Sequence, residues 1–128
     1  MKCFFDNPLP PLLAKALNTL ESTHGIPVVH LKEKFEPSTP DVEWIKKLAE
    51  EGGWFVITKD TKIRRNPYEK QVWKESGLSI VFLERTLAEM DFWELSWRMV
   101  RYWGLIKESI SRGKEGESFS VNINGKIR

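Results

Sequence analysis

Aspartate is scarce in this chain, four residues against fourteen glutamates, and three of the four stand at element boundaries, two after apolar runs and one at the start of a helical pattern. Asp6 follows "KCFF", Asp60 follows "WFVIT" and Lys59, and Asp41 opens the amphipathic stretch "DVEWIKKLAEE". Short carboxylates crowded together repel, and each raises the pKa of the others unless positive charge stands between them. A hard divalent cation is the natural neutraliser, because magnesium prefers oxygen ligands and retained waters. Lys59 could supply part of the same positive charge. Each acid also has a local reading that stays open. Asp6 could cap a helix starting near Pro8, Asp41 could favour the positive end of its helix, and Asp60 could close a turn on its own backbone.

The elements around the acids set where they meet. "KCFF" (2–5), "IPVVHL" (26–31), "WFVIT" (54–58) and "LSIVFL" (78–83) read as strands. Between them lie helical patterns: one entered through Pro8 to Pro11 with Leu12, Leu13, Ala16, Leu17 and Leu20 in register, one over "STPDVEWIKKLAEEGG", and a short one over "NPYEKQVWKES". Ser38 or Thr39 is the expected cap of the second, with Pro40 at its first position and Gly52 as its stop. Strand and helix alternating in this way build a parallel sheet covered on both faces. The carboxyl ends of such strands share one edge, and the following helices start there. Asp6, Asp41 and Asp60 therefore belong to one rim, where open α/β sheets place their sites. Four basic residues, Lys59, Lys62, Arg64 and Arg65, crowd the same edge against the single acid Asp60.

The segment 86–110 reads as one long helix with two apolar stripes, Phe92, Leu95, Met99, Tyr102 and Ile106 on one and Trp93, Trp97 and Val100 on another. Two greasy faces imply two burial partners. One is the sheet; the other is a second subunit or another protein, reached through Trp93, Trp97 and Trp103. After the charged hinge "SRGKEGE", a final strand over about 118–124 alternates Phe119, Val121 and Ile123 with polar residues, as an edge strand with one wet face does.

Composition narrows the classes. A chain of 128 residues is sized for one domain, here 1–128, and 41% hydrophobic with 30% charged residues describes a globular protein. No apolar stretch approaches the roughly 18 to 20 residues of a membrane span, and the N-terminus lacks a signal-peptide core, so the expected location is the cytoplasm. Cys3, the one cysteine, excludes an internal disulfide and a cysteine zinc cluster. His24 and His30 lack metal-ligand spacing. A net charge of +2 does little by itself to attract nucleic acid, so the local basic cluster carries that role. A phosphatase using Asp6 as nucleophile would need a second aspartate at position 8, which is Pro8.

"FFDNPLP", "PDVEWIKKLAEEG" and above all "FVITKDTKIRRNPYEK" followed by "GLSIVFL" resemble the compact PIN-like domains related to VapC-type toxin ribonucleases, over about residues 2–84. The resemblance implies a three-layer α/β fold with a mainly parallel sheet of about four to five strands and helices on both faces. It implies a magnesium- or manganese-dependent endoribonuclease, with Asp6, Asp41 and Asp60 as catalytic and metal-holding acids and an antitoxin protein as partner. In that family a further acid is common on an intervening helix. Glu43 and Glu69 are candidates for it, and Asn7 and Thr58, beside Asp6 and Asp60, are candidates at the same rim. Lys59, Lys62, Arg64 and Arg65 would bind the RNA backbone. The rival from another class is a non-catalytic PIN-like scaffold that binds a partner through the tryptophan-rich helix.

Overall fold

Parallel strands buried on both faces read as unbroken apolar runs, and residues 54–57 and 80–83 of this chain are written that way. The computed structural model describes residues 1–59 and 66–128. Among these, β1 (Lys2–Phe5), β2 (Val28–His30), β3 (Trp54–Thr58), β4 (Ser79–Leu83) and β5 (Ser118–Val121) form one sheet in the order β2-β1-β3-β4-β5. Every neighbouring pair is parallel. The helices are α1 (Pro11–Leu20), α2 (Leu31–Lys34), α3 (Asp41–Glu51), α4 (Pro67–Ser76), α5 (Arg85–Ala88) and α6 (Phe92–Arg112).

Alternation along the strands divides the core into two layers. Cys3, Phe5, Phe55, Ile57, Val81 and Leu83 pack with α1, α5 and α6, whereas Phe4, Val56, Ile80 and Phe82 pack with α2, α3 and α4. The sheet thus carries helices on both faces. The β4-to-β5 crossover uses the same face as the β1-to-β2 crossover but runs the opposite way along the sheet. Its hand is therefore opposite to that of the others, against the usual uniformity of such connections.

Local chemistry explains the boundaries. In α4, the Asn66 side chain accepts from the backbone N–H groups of Tyr68 and Glu69, and Gly77 closes the helix at φ 75°, a left-handed conformation that favours glycine. Neither Ser38 nor Thr39 caps α3. The cap position is Pro40, which has no side-chain acceptor to offer. The expected single helix over 86–110 is two, because the Asp91 carboxylate accepts from the Glu94 N–H and starts α6 afresh after the short α5. The fourth aspartate is thus a cap. The last strand stops at Val121. Asn122 Oδ1 accepts from the N–H groups of Asn124 and Lys126, turning the chain back so that Arg128 pairs with Ser120 along the outer edge of β5. Gly125 lies against the Tyr102 ring, where a Cβ would approach to 2.6 Å. Among the described residues, no helix is long and apolar enough to cross a membrane.

Trp103 does not belong to the outward face of α6. It is buried against Phe55, and its indole N–H donates to Glu21 Oε1 at 2.6 Å, an oxygen that Lys107 also reaches. Glu21 is 3% exposed. Burial by itself would raise its pKa, but the bonds from Lys107 and Trp103 outweigh that and hold the carboxyl below its ordinary value. Replacing Trp103 with Phe removes a donor to a buried charge, at an expected cost of about 2 kcal/mol by urea unfolding at neutral pH. Because the native pKa of Glu21 is depressed, its contribution is present above the unfolded value of about 4.3 and is lost as pH falls through the native one. The Trp103→Phe penalty should therefore shrink in acid.

Candidate functional site

A buried carboxylate must be met by donors, and Asp6 is 2% exposed. It stands immediately after β1, at the carboxyl edge, with its backbone N–H still paired to the Ile57 carbonyl of β3 at 3.0 Å. The register Phe5↔Ile57 brings Thr58 alongside, and the Thr58 hydroxyl donates to Asp6 Oδ2 at 2.7 Å. The Asn7 backbone N–H donates to Oδ1, also at 2.7 Å. Asp6 caps no helix, since α1 begins only at Pro11. Its rotamer is set from two sides by residues that the sheet itself positions.

The loop that follows Asp6 is pinned by a residue that sequence patterns did not single out. His30, buried at the end of β2, accepts from the Lys32 N–H through Nδ1, so its Nε2–H donates to the Leu9 carbonyl at 2.7 Å. The Glu33 carboxylate in turn accepts from the His30 N–H, which makes a capping box for α2. The spacing His30 to Glu33 is the signal that could have revealed it.

Asp41 opens α3 at the same edge. Its Oδ1 accepts from the Trp44 indole N–H at 3.0 Å. The segment ahead of it approaches Asp6's neighbour, as the Asn7 side chain donates to the Pro37 carbonyl at 3.4 Å. Lys59 reaches the Ala88 carbonyl at the end of α5, at 3.5 Å. Asp60, Lys62, Arg64 and Arg65 lie outside the described residues. Glu43 is exposed and lines the groove between α2 and α3 together with Lys46 and Lys47, a lining that includes neither Asp6 nor Asp41. Glu69 sits half-buried in the first turn of α4, its N–H donating to Asn66. One further acid occupies the edge: Glu84 directly follows β4 as Asp6 follows β1, and its Oε2 is buried with no hydrogen-bond partner among the described residues.

Among the described residues, no three of His, Cys, Asp and Glu gather closely enough to hold a metal ion. The donor chemistry of the rim nevertheless suits one. Asp6 and Asp41 offer hard carboxylate oxygens of the kind magnesium and manganese take.

A parallel sheet with helices on both faces makes this an α/β protein, and buried Asp6 stands at the carboxyl edge, where open sheets of this class generally bind their ligands. The PIN-like domain family matches residues 1–85, and the chain belongs to that family, whose members are typically nucleases. α6 and β5 lie beyond the matched region. No curated protein and no solved structure matches the chain.

Thr58→Val keeps the shape of the side chain and removes the donor to Asp6. The expected loss is about 1–3 kcal/mol in chemical unfolding. Burial holds the His30 pKa below its ordinary value. Its contribution to stability is then present above the unfolded value of about 6.5 and is lost as pH falls through the depressed native value. Unfolding midpoints in urea should drop between neutral and mildly acidic pH, and His30→Gln should flatten that part of the profile.

Proposed function

We propose that this chain is a metal-dependent endoribonuclease of the compact VapC-like kind, the toxin of a toxin–antitoxin pair acting in the cytoplasm, with residues 1–128 as one domain. The observation that supports it most is Asp6, an oriented and almost fully buried carboxylate at the carboxyl edge of a PIN-like sheet. In this reading Asp6, Asp41 and Asp60 hold a magnesium or manganese ion, and Glu84 is a better placed fourth acid than exposed Glu43. When bound, such an ion lowers the pKa of a water and neutralises charge developing on a phosphate. Thr58 and Asn7 keep the Asp6 oxygens pointed at the rim. Lys59, Lys62, Arg64 and Arg65 hold the RNA backbone, a salt-sensitive and largely sequence-blind contribution in which arginine matches the forked geometry of phosphate oxygens. The partners are RNA and an antitoxin protein, and the outward Trp93 and Trp97 face of α6 offers a separate surface for a protein, a second copy of the chain included.

The test is cleavage of single-stranded RNA by the purified chain with magnesium or manganese against a chelator control. Asp6→Asn and Asp60→Asn are expected to lose at least the upper part of the roughly 10- to 100-fold that changes behind a metal's ligands already cost. Unaltered metal-dependent cleavage by both variants would falsify the assignment. The rival reading, a non-catalytic scaffold, rests on the exposed tryptophans. It predicts no cleavage and no growth arrest when the chain is expressed alone, where the toxin reading predicts arrest that depends on Asp6.

A further inference from the structure

We propose that the outward face of α6 pairs in antiparallel fashion with the same face of a second copy of this chain. On the side of α6 opposite buried Leu95, Met99, Tyr102 and Ile106 lie Trp93, Trp97, Val100 and Gly104, spaced four, three and four residues apart. That is the spacing of a helix–helix seam. Trp93 is 78% exposed, Trp97 47% and Val100 42%.

Two features mark the face as built for contact. Trp97 is held in place at the surface: its indole N–H donates to Glu94 at 3.0 Å, and the Arg98 guanidinium lies 4.5 Å from its ring centroid. A side chain already fixed in place loses less freedom when a partner arrives. The second feature is Gly104. Glycine in a helix interior is less stable than alanine, and among the described residues nothing outside the helix lies within 4 Å of where its Cβ would be. No contact among the described residues explains the missing side chain, whereas a large side chain from outside would.

The seam supplies that side chain itself. A two-fold axis between Arg98 and Met99 sets Trp93 over the second copy's Gly104 and Trp97 over the second copy's Val100, so that the bulkiest residue meets the gap. A parallel pair would set Gly104 on Gly104 and leave a void. Charge agrees with the antiparallel arrangement. Glu94 and Arg101 share one flank of the seam, and antiparallel pairing brings each beside its opposite on the other copy, twice. Arg101 forms no ion pair among the described residues. One helix pair lies at the low end of stable interface sizes, so the dissociation constant should be on the order of micromolar.

Sedimentation velocity of the full chain from about 1 to about 100 μM should show monomer giving way to dimer, a range that brackets that constant. Gly104→Leu should stay monomeric throughout while unfolding at no lower temperature than the parent. In a Cys3→Ala background, oxidising a mixture of Trp93→Cys and Gly104→Cys chains should yield a disulfide-linked dimer, and either chain alone should not. Arg101→Glu, which leaves the Glu94 bond to Trp97 intact, should weaken association by several-fold, and that loss should shrink at high salt. A wild-type chain that remains monomeric, a Gly104→Leu chain that still dimerises, or cross-linking of Trp93→Cys chains to one another overturns the proposal. So does a monomeric chain whose Trp93 face binds only a different protein. The ribonuclease assay reads none of these outcomes, so either idea can fail alone.

Discussion

The hydrogen bond from Thr58 to Asp6 crosses from β3 to β1, and the rest of the rim is arranged around it. A carboxylate at 2% exposure is tolerable only where donors replace the water it has lost. Two of its donors are the Thr58 hydroxyl and the Asn7 N–H, and neither is free to choose its place. Thr58 is fixed by the Phe5↔Ile57 register, and Asn7 by the turn that ends β1. A slip of one residue between β1 and β3 would turn every side chain of the strand to the opposite face. The two apolar layers, built on Phe4 and on Cys3 with Phe5, forbid that slip. Core packing thus sets the chemistry at the edge: the same alternation that sorts aromatic side chains between layers delivers a hydroxyl to an acid.

The two ends of the fold use buried polar groups in different ways. At the carboxyl edge, His30 ties β2 to the loop after Asp6, and as a neutral imidazole it both accepts and donates. At the far end of α1, Glu21 is held by Trp103 and Lys107 of α6, joining the first and last helices of one layer across 82 and 86 residues of sequence. That clasp draws Trp103 inward and leaves Trp93 and Trp97 outward. One helix is therefore both a wall of the core and an exposed apolar face. The edge strand β5 that α6 leads into is shielded by the returning C-terminal residues, so the exposed apolar surface is on the helix and not on an open sheet edge.

The parts of the fold that follow from local periodicity were legible. The four apolar runs mark β1 to β4, Gly52 and Gly77 stop α3 and α4, and β5 lies at the sheet edge, as the alternation of apolar and polar residues in its sequence predicts. Errors arose where a side chain acted on the backbone or across the fold. Asp91 was read as part of a helix interior, though its carboxylate starts α6. Trp103 was grouped with Trp93 and Trp97, because helical spacing cannot reveal that an acid 82 residues away will draw one indole inward. Glu84 follows an apolar strand as Asp6 does, but in a chain with fourteen glutamates its residue type alone does not mark it.

By itself, the sequence determined which segments are strands and helices and the parallel class of the sheet, and from these that Asp6 follows a strand and Asp41 opens a helix at the carboxyl edge, since each depends on residue types a few positions apart. Only the tertiary structure decided that Thr58 and Asn7 orient Asp6, that His30 locks the loop beyond it, that the last crossover has the opposite hand, and which tryptophans face outward. Those outcomes are fixed by hydrogen bonds and packing between residues distant in the chain, whose partners are chosen only when the layers close.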